Sequence, residues 1–204
     1  FIYNNAGTLT LESVAWSTDT ARATALATQD GIYVKTGELN KRFLGTIRTT
    51  GTIGQCEDSI SKRFVSNYYN EVDLSLRVID ATDTWTYNAA TWRYARAQST
   101  NRVEYVSCIS QRLVRSTVSV LAGASGAAGS VGVGIDASNA NSAQIIASLG
   151  GAVNVFSSSH YVGYPGQGYH YLAWLEYVRT STLSYFGDAG VTGLQSGLTA
   201  IVKG

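Results

Sequence analysis

TQDGIYVKTGELNKRFLGTIRTTGTIGQCEDSISKRFVSNYYN, residues 28–70, is the stretch on which the fold reading turns. It opens as a β-hairpin. Ile32 and Val34 fall on one face of a strand and Tyr33 and Lys35 on the other, because successive strand side chains alternate. A polar connection from Thr36 to Asn40 leads into a return strand over Lys41 to Thr49. There Phe43 and Ile47 share a core face, opposite Arg42, Leu44, Thr46 and Arg48. A loop rich in Gly, Thr and acids follows, and a further strand is expected from Lys62 to Tyr69.

Upstream, residues 1–16 read as two strands about a turn at Asn4 to Gly7. Leu9 and Leu11 share a face while Val14 and Trp16 fall on the other, which predicts a β-bulge near Glu12 and Ser13. Residues 17–30 are the one helix candidate, with Ser17 or Thr18 as N-cap. Downstream, Val72, Leu74, Leu76 and Val78 alternate with Asp73, Ser75 and Arg77, the pattern of a half-buried antiparallel strand. Residues 80–101 are polar, with Trp85, Tyr87, Trp92 and Tyr94 expected to pin a long loop. Strands resume at 103–109 and 113–122. The run 123–134 reads as a loop feeding a strand in which Val131, Val133 and Ile135 alternate with glycines, a sign of close backbone approach. Further strands are expected at 152–156, 169–179, 183–186 and 198–202. Short strands and frequent turns define an all-β chain: an antiparallel β-sandwich, jelly-roll-like, in one domain over 1–204 with at most one short helix.

The chain's 204 residues suffice to bury a core. Charged residues are only 14% of it, against about 25% in ordinary soluble domains, so part of the surface is expected to be covered by partner subunits. A net charge of +1 gives no footprint for nucleic acid or anionic membrane. No apolar run has the length of a membrane span, and no signal peptide is visible. The chain has no Met and starts at Phe1, so it is expected to be the C-terminal part of a longer protein. Cys56 lies in a loop-like segment and Cys108 in a strand-like one, and two free thiols are expected ahead of a bridge.

Glu57 and Asp58 are adjacent carboxylates. With Asp30 or Asp73 they could form an acid pair for glycoside hydrolysis or a calcium site, but neighbours on a strand point apart, and salt bridges to Lys62 or Arg63 in a solvated loop are the expectation. His160 and His170 have no Cys or carboxylate at ligand spacing, and no G-x-S-x-G accompanies them. GASGAAG lacks the context of a nucleotide loop. No catalytic residue, metal or cofactor is expected. The dense aromatics from 161 to 185 point instead to contact surfaces. Tyr161 and Tyr164 are expected on an exposed loop around GYPGQG, as glycan or subunit contacts, with Trp85 and Trp92 in the same role; Tyr169 to Tyr177 are expected in the core.

The runs QDGIYVK (29–35), RFLGTIRTTG (42–51), GQCEDS (54–59), KRFVSNYYN (62–70) and ATDTWTYNAATWR (81–93), with YHYLAWLEY, YFGDAG and GLQSGL later, resemble a domain of tail fibres and other virion appendages of tailed bacteriophages. The resemblance implies a virion structural protein: a tail fibre, or a fibre or spike on the head. The expected assembly is a homotrimer bound to other virion proteins, with loop aromatics and hydroxyls facing host-surface polysaccharide. Two other roles stay open, a capsid decoration or cement protein and a polysaccharide-binding or depolymerising module.

Overall fold

A computed structural model describes residues 1–123, 126–146, 148–151, 154–187 and 194–204. Twenty strands and a single three-residue 3-10 turn make up its regular structure. An N-terminal sheet comprises β1 (Ile2–Asn5), β2 (Thr8–Leu11), β3 (Leu26–Gln29), β4 (Ile32–Lys35) and β5 (Glu38–Arg42), in the order β2-β1-β5-β4-β3. Two of its tight turns have positive φ at both central residues, Ala6-Gly7 and Asp30-Gly31, the geometry that matches hairpin twist. A short ribbon follows, β6 (Gly45–Ile47) against β8 (Val65–Asn67), with β7 (Lys62–Arg63) just before β8.

The body contains β9 (Asp73–Ile79), β10 (Thr84–Tyr87), β11 (Arg93–Tyr94), β12 (Arg102–Ser107), β13 (Val114–Gly123), β14 (Ala127–Ile135), β15 (Ile145–Ile146), β16 (Ser148–Gly151), β17 (Val155–Gly163), β18 (Gly168–Thr180), β19 (Leu183–Phe186) and β20 (Gly197–Lys203). One sheet is ordered β9-β20-β13-β17 and the other β12-β18-β14-β16, all antiparallel. Taken in chain order, β9, β12, β13 and β14 alternate between sheets, β16 stays in the second, and β17, β18 and β20 alternate again. That connectivity is a jelly roll. Strands β10 and β19 extend the first sheet beside β13, β15 lies outside β17, and β11 extends the second sheet beside β18. The ribbon joins the body through a short parallel pairing of β7 with β12.

The core between the sheets is built by the period-2 faces. Val114, Val118 and Val120 of β13, Val131 and Val133 of β14, and Leu172 and Trp174 of β18 are all 0–1% exposed. Leu76 is fully buried between half-buried Leu74 and Val78, while Val72 precedes the strand and is 46% exposed. Ala173, Trp174 and Leu175 are buried on both faces, as a central strand requires. Gly134 of β14 lets the Ala137 carbonyl approach to where a Cβ would stand.

Several expectations are corrected. Residues 17–30 form no helix: the Thr18 hydroxyl accepts the Thr20 and Ala21 N–H groups at 3.3 and 3.0 Å, and the Ser17 N–H donates to the Ala21 carbonyl at 2.9 Å, closing a tight turn. The alanines leave no apolar stripe to hold a helix against anything. No bulge shifts the phase near Glu12, because β2 simply ends at Leu11. The return strand is broken after Arg42: Phe43 is buried, but Thr46 is buried and Ile47 is 61% exposed, the reverse of the expected faces. Residues 84–87 are strand β10 rather than loop, and β14 begins at Ala127, earlier than expected. Residues 124 and 125 of the expected connection, 152 and 153 of the expected strand at 152–156, and 188–190 and 193 of the quoted motifs lie outside the described residues.

Charges inside the body are matched. Glu176, fully buried, accepts the Trp85 indole N–H at 2.6 Å, Arg93 Nε at 2.7 Å and the Arg96 backbone N–H at 3.2 Å. Burial nevertheless pushes its pKa upward. Asp80 is held below the carboxylate range, against the penalty of burial, by bonds from Asn101, Arg96 and Thr82. Cys56 and Cys108 are free thiols, one exposed and one buried.

At the N-terminal sheet, Lys35 and Lys41 each bridge Glu12 and Glu38 at 2.5–2.8 Å. Hydrogen bonds from both lysines draw the Glu12 pKa down to about 2, and that of Glu38 downward. A carboxylate depressed in the folded state stabilises it above its unfolded pKa, and that contribution disappears as pH falls through the folded value. The melting temperature should therefore drop between pH 4.5 and 2, by less in Lys41→Met than in the unaltered chain. Equal drops in thermal melts at pH 6 and 2.5 would deny the network this role.

Candidate functional site

The residues singled out in the sequence do not converge. Glu57 pairs with Lys62 and Asp58 with Arg63, each at 2.9 Å, as expected of a salt-bridged loop. Asp73 pairs with Lys203 at 2.8 Å, and Asp30 occupies the β3–β4 turn. His160 is exposed and meets Thr117 Oγ1 at 3.0 Å and Ser158 Oγ at 3.2 Å. His170 is 2% exposed, with Nδ1 2.7 Å from Asp136 Oδ2, and its Nε2 has no hydrogen-bond partner among the described residues. Among the described residues, no cluster of His, Cys, Asp or Glu could hold a metal ion.

The four aromatic candidates are separated too. Trp85, 9% exposed, is a core residue: its ring stacks on Tyr185 with centroids 5.9 Å apart and packs edge-on against Trp174. Its faces are taken by the core, which withdraws it as a contact residue of this chain. Tyr161 is half-buried in β17 rather than on a loop, and its hydroxyl covers Gly163. Trp92 is half-buried and leans on Tyr177 at 5.1 Å. Only Tyr164 stands free, 63% exposed on the turn between β17 and β18. Tyr169, Tyr171 and Tyr177, expected in the core, alternate with the inward residues of β18 and lie half-buried on the outer face.

What the fold builds instead is a cleft between the segment after β2 and the β6–β8 ribbon. After Glu12, which exchanges backbone hydrogen bonds with Phe1, residues 13–15 leave the sheet, and Trp16 pairs with Arg22 in an isolated bridge. The next turn is fastened to the start of β18: the Tyr169 N–H donates to the Asp19 carbonyl at 2.7 Å, and Gly168, at φ 106°, has that carbonyl where a Cβ would be. The opposite wall is β6, held tight because Gly45 admits the Ser66 carbonyl. One end of the cleft, about 350 Å³, is lined by Leu11, Val14, Trp16, Phe43, Ile47 and Val65. A second hollow of about 630 Å³ shares Ser13, Val14, Trp16, Thr46 and Ile47 with it and carries Thr18, Asp19, Arg48 and Tyr169.

The polar end is organised by charge. Arg48 Nη1 donates to Asp19 Oδ1 at 2.6 Å, and its guanidinium lies 3.7 Å over the Tyr169 ring. The Tyr169 hydroxyl donates to Glu104, and burial with that bond raises its pKa. Beneath the apolar end, Arg22 is stacked against Trp16 and Phe43 at 4.4 and 4.7 Å. Carboxylates lining the cleft are engaged by bases: Asp19 by Arg48, Glu12 by two lysines that hold it ionised. A general acid needs a raised pKa, so Glu12 is set the wrong way. The arrangement offers flat apolar area beside directional donors and acceptors, which is chemistry for binding.

Asp19 and Arg22 lie in the segment expected to be a helix, and Trp16 and Arg48 on stretches expected to be strands, so nothing in the sequence brought the four together. The only signal was compositional: one Trp and one Arg in an alanine- and threonine-rich run.

No protein-family model and no curated protein matches the chain.

Proposed function

We propose that the chain is a structural module of a tailed-phage appendage, a fibre or spike domain that assembles as a homotrimer and holds host-surface polysaccharide in the cleft around Trp16. The cleft carries the binding reading. It joins an aromatic, apolar end to Thr18, Asp19 and Arg48, the combination of flat surface and fixed polar groups that suits a sugar ring. The appendage setting rests on the sequence resemblance. The trimer is supported by apolar side chains left bare on the single chain outside the cleft, among them Leu9 at 74%, Phe156 at 62% and Leu39 at 53% exposure, of the kind that mark contact surfaces. Three copies would add weak sites by avidity.

Titration calorimetry with polysaccharides purified from bacterial surfaces tests this reading. The intact chain should bind, Trp16→Ala should bind roughly tenfold more weakly or worse, and the polymer should be recovered at its original length. Shortened polymer would point to a depolymerase. Absence of binding to every polysaccharide, with binding to assembled capsids, would make the chain a decoration protein.

A further inference from the structure

The charge balance of the cleft narrows its ligand. Arg48, Arg63, Arg93, Arg96, Arg102 and Arg112 each have a carboxylate within ion-pair distance, and Arg42, Arg77, Arg115 and Arg179, which have none among the described residues, are exposed. Arg22, half-buried in the cleft, meets only neutral acceptors. Its Nη2 donates to the Cys108 carbonyl and to Thr46 Oγ1 at 3.3 Å, and its Nε to Gln167 Oε1 at 3.4 Å. Nη1 has no hydrogen-bond partner among the described residues. A guanidinium remains charged when partly buried, and one without a counter-ion favours an anion beside it. Burial indeed pulls its pKa down. Trp16 and Phe43 pack against the group, so what it still lacks is an anion.

We infer that the polysaccharide recognised here is acidic, and that a sugar carboxylate docks on the Nη1 edge of Arg22 while its ring rests in the apolar end beside Leu11, Val14 and Trp16. Guanidinium and carboxylate are planar and match edge to edge, which selects carboxylate over a neutral hydroxyl and gives the strongest class of hydrogen bond. Glu12 and Asp19 do not compete for Arg22, since each is held by other bases. This inference rests on the polysaccharide reading above and fixes its ligand class.

The test is a titration of the intact chain with a panel of neutral polysaccharides, uronic-acid polysaccharides, the same polymers with their carboxyls reduced, and a glycerol-phosphate polymer. Uronic-acid polymers should bind best, lose about tenfold or more on carboxyl reduction, and weaken as salt is raised. Arg22→Gln should erase the preference for the unreduced polymer, and Arg22→Lys should restore only part of it. Equal binding of native and reduced polymers, or binding of neutral polymers alone, overturns the acidic-sugar inference and leaves the polysaccharide reading standing. Equal binding of the glycerol-phosphate polymer overturns the carboxylate assignment. Failure to bind any polymer overturns both. The polymer comparison needs no variant, so it remains decisive if Arg22→Gln does not fold.

Discussion

Glu176→Ala is expected to lower the unfolding free energy by about 3 kcal/mol, since it leaves buried donors without an acceptor. The carboxylate has no exposure to water and is fixed by three donors: the Trp85 indole, the Arg93 guanidinium and the Arg96 backbone. Its loss strands the Trp85 indole, which is itself in the core, and the Arg96 N–H, while Arg93 keeps access to water. Arg96 and Ala97 both have positive φ, so the 95–97 turn is held in a conformation it would not choose alone. Glu176→Gln, which keeps the shape and one acceptor, should cost clearly less. Urea unfolding with an unchanged m-value measures both. A loss under about 1 kcal/mol for the alanine variant would mean that the pair's desolvation cancels its attraction.

Arg112→Ala should cost about 3 kcal/mol, since a charged donor at 3% exposure serves several acceptors at once. Nη1 donates to Ser66 Oγ at 2.5 Å and to the Lys203 carbonyl at 3.3 Å, while Nη2 reaches the Asn67 carbonyl at 2.7 Å and Glu71 at 2.8 Å. One side chain thus ties the ribbon strand β8 to the end of β20. Arg112→Lys keeps the charge but loses the fork, and should recover only part of the loss. Hydrogen exchange distinguishes this from a general effect: protection should fall first in β6 and β8, which form one wall of the cleft. Uniform loss across the jelly roll would contradict the tie.

The jelly roll was legible where one face is dry. Leu74, Leu76 and Val78 announced β9, the valines announced β13 and β14, and the strand expected at 169–179 falls within β18. The ion pairs of Glu57 and Asp58 were also readable, because their partners lie five residues away. Trp85 was misplaced although Thr84-Trp85-Thr86-Tyr87 alternates with period 2; the polar threonines on the outer face concealed the strand. Buried Glu176 and Arg112 carried no signal, since their partners are 80–91 and 41–91 residues away. The cleft was illegible for the same reason: its walls come from residues 11–19, 45–48 and 65–67 and the start of β18. An alanine-rich run resembling a helix stood where Trp16 and Arg22 needed to be seen as a pair.

The chain has four tryptophans, Trp16, Trp85, Trp92 and Trp174, so its amide correlation spectrum should show four indole N–H peaks, assignable by single replacement with phenylalanine. Adding oligosaccharide fragments of an acidic surface polysaccharide should move the Trp16 peak saturably, while those of buried Trp85 and Trp174 stay still. Binding detected by calorimetry with the Trp16 peak unmoved, or with movement confined to Trp92, would contradict the placement of the glycan site in the cleft.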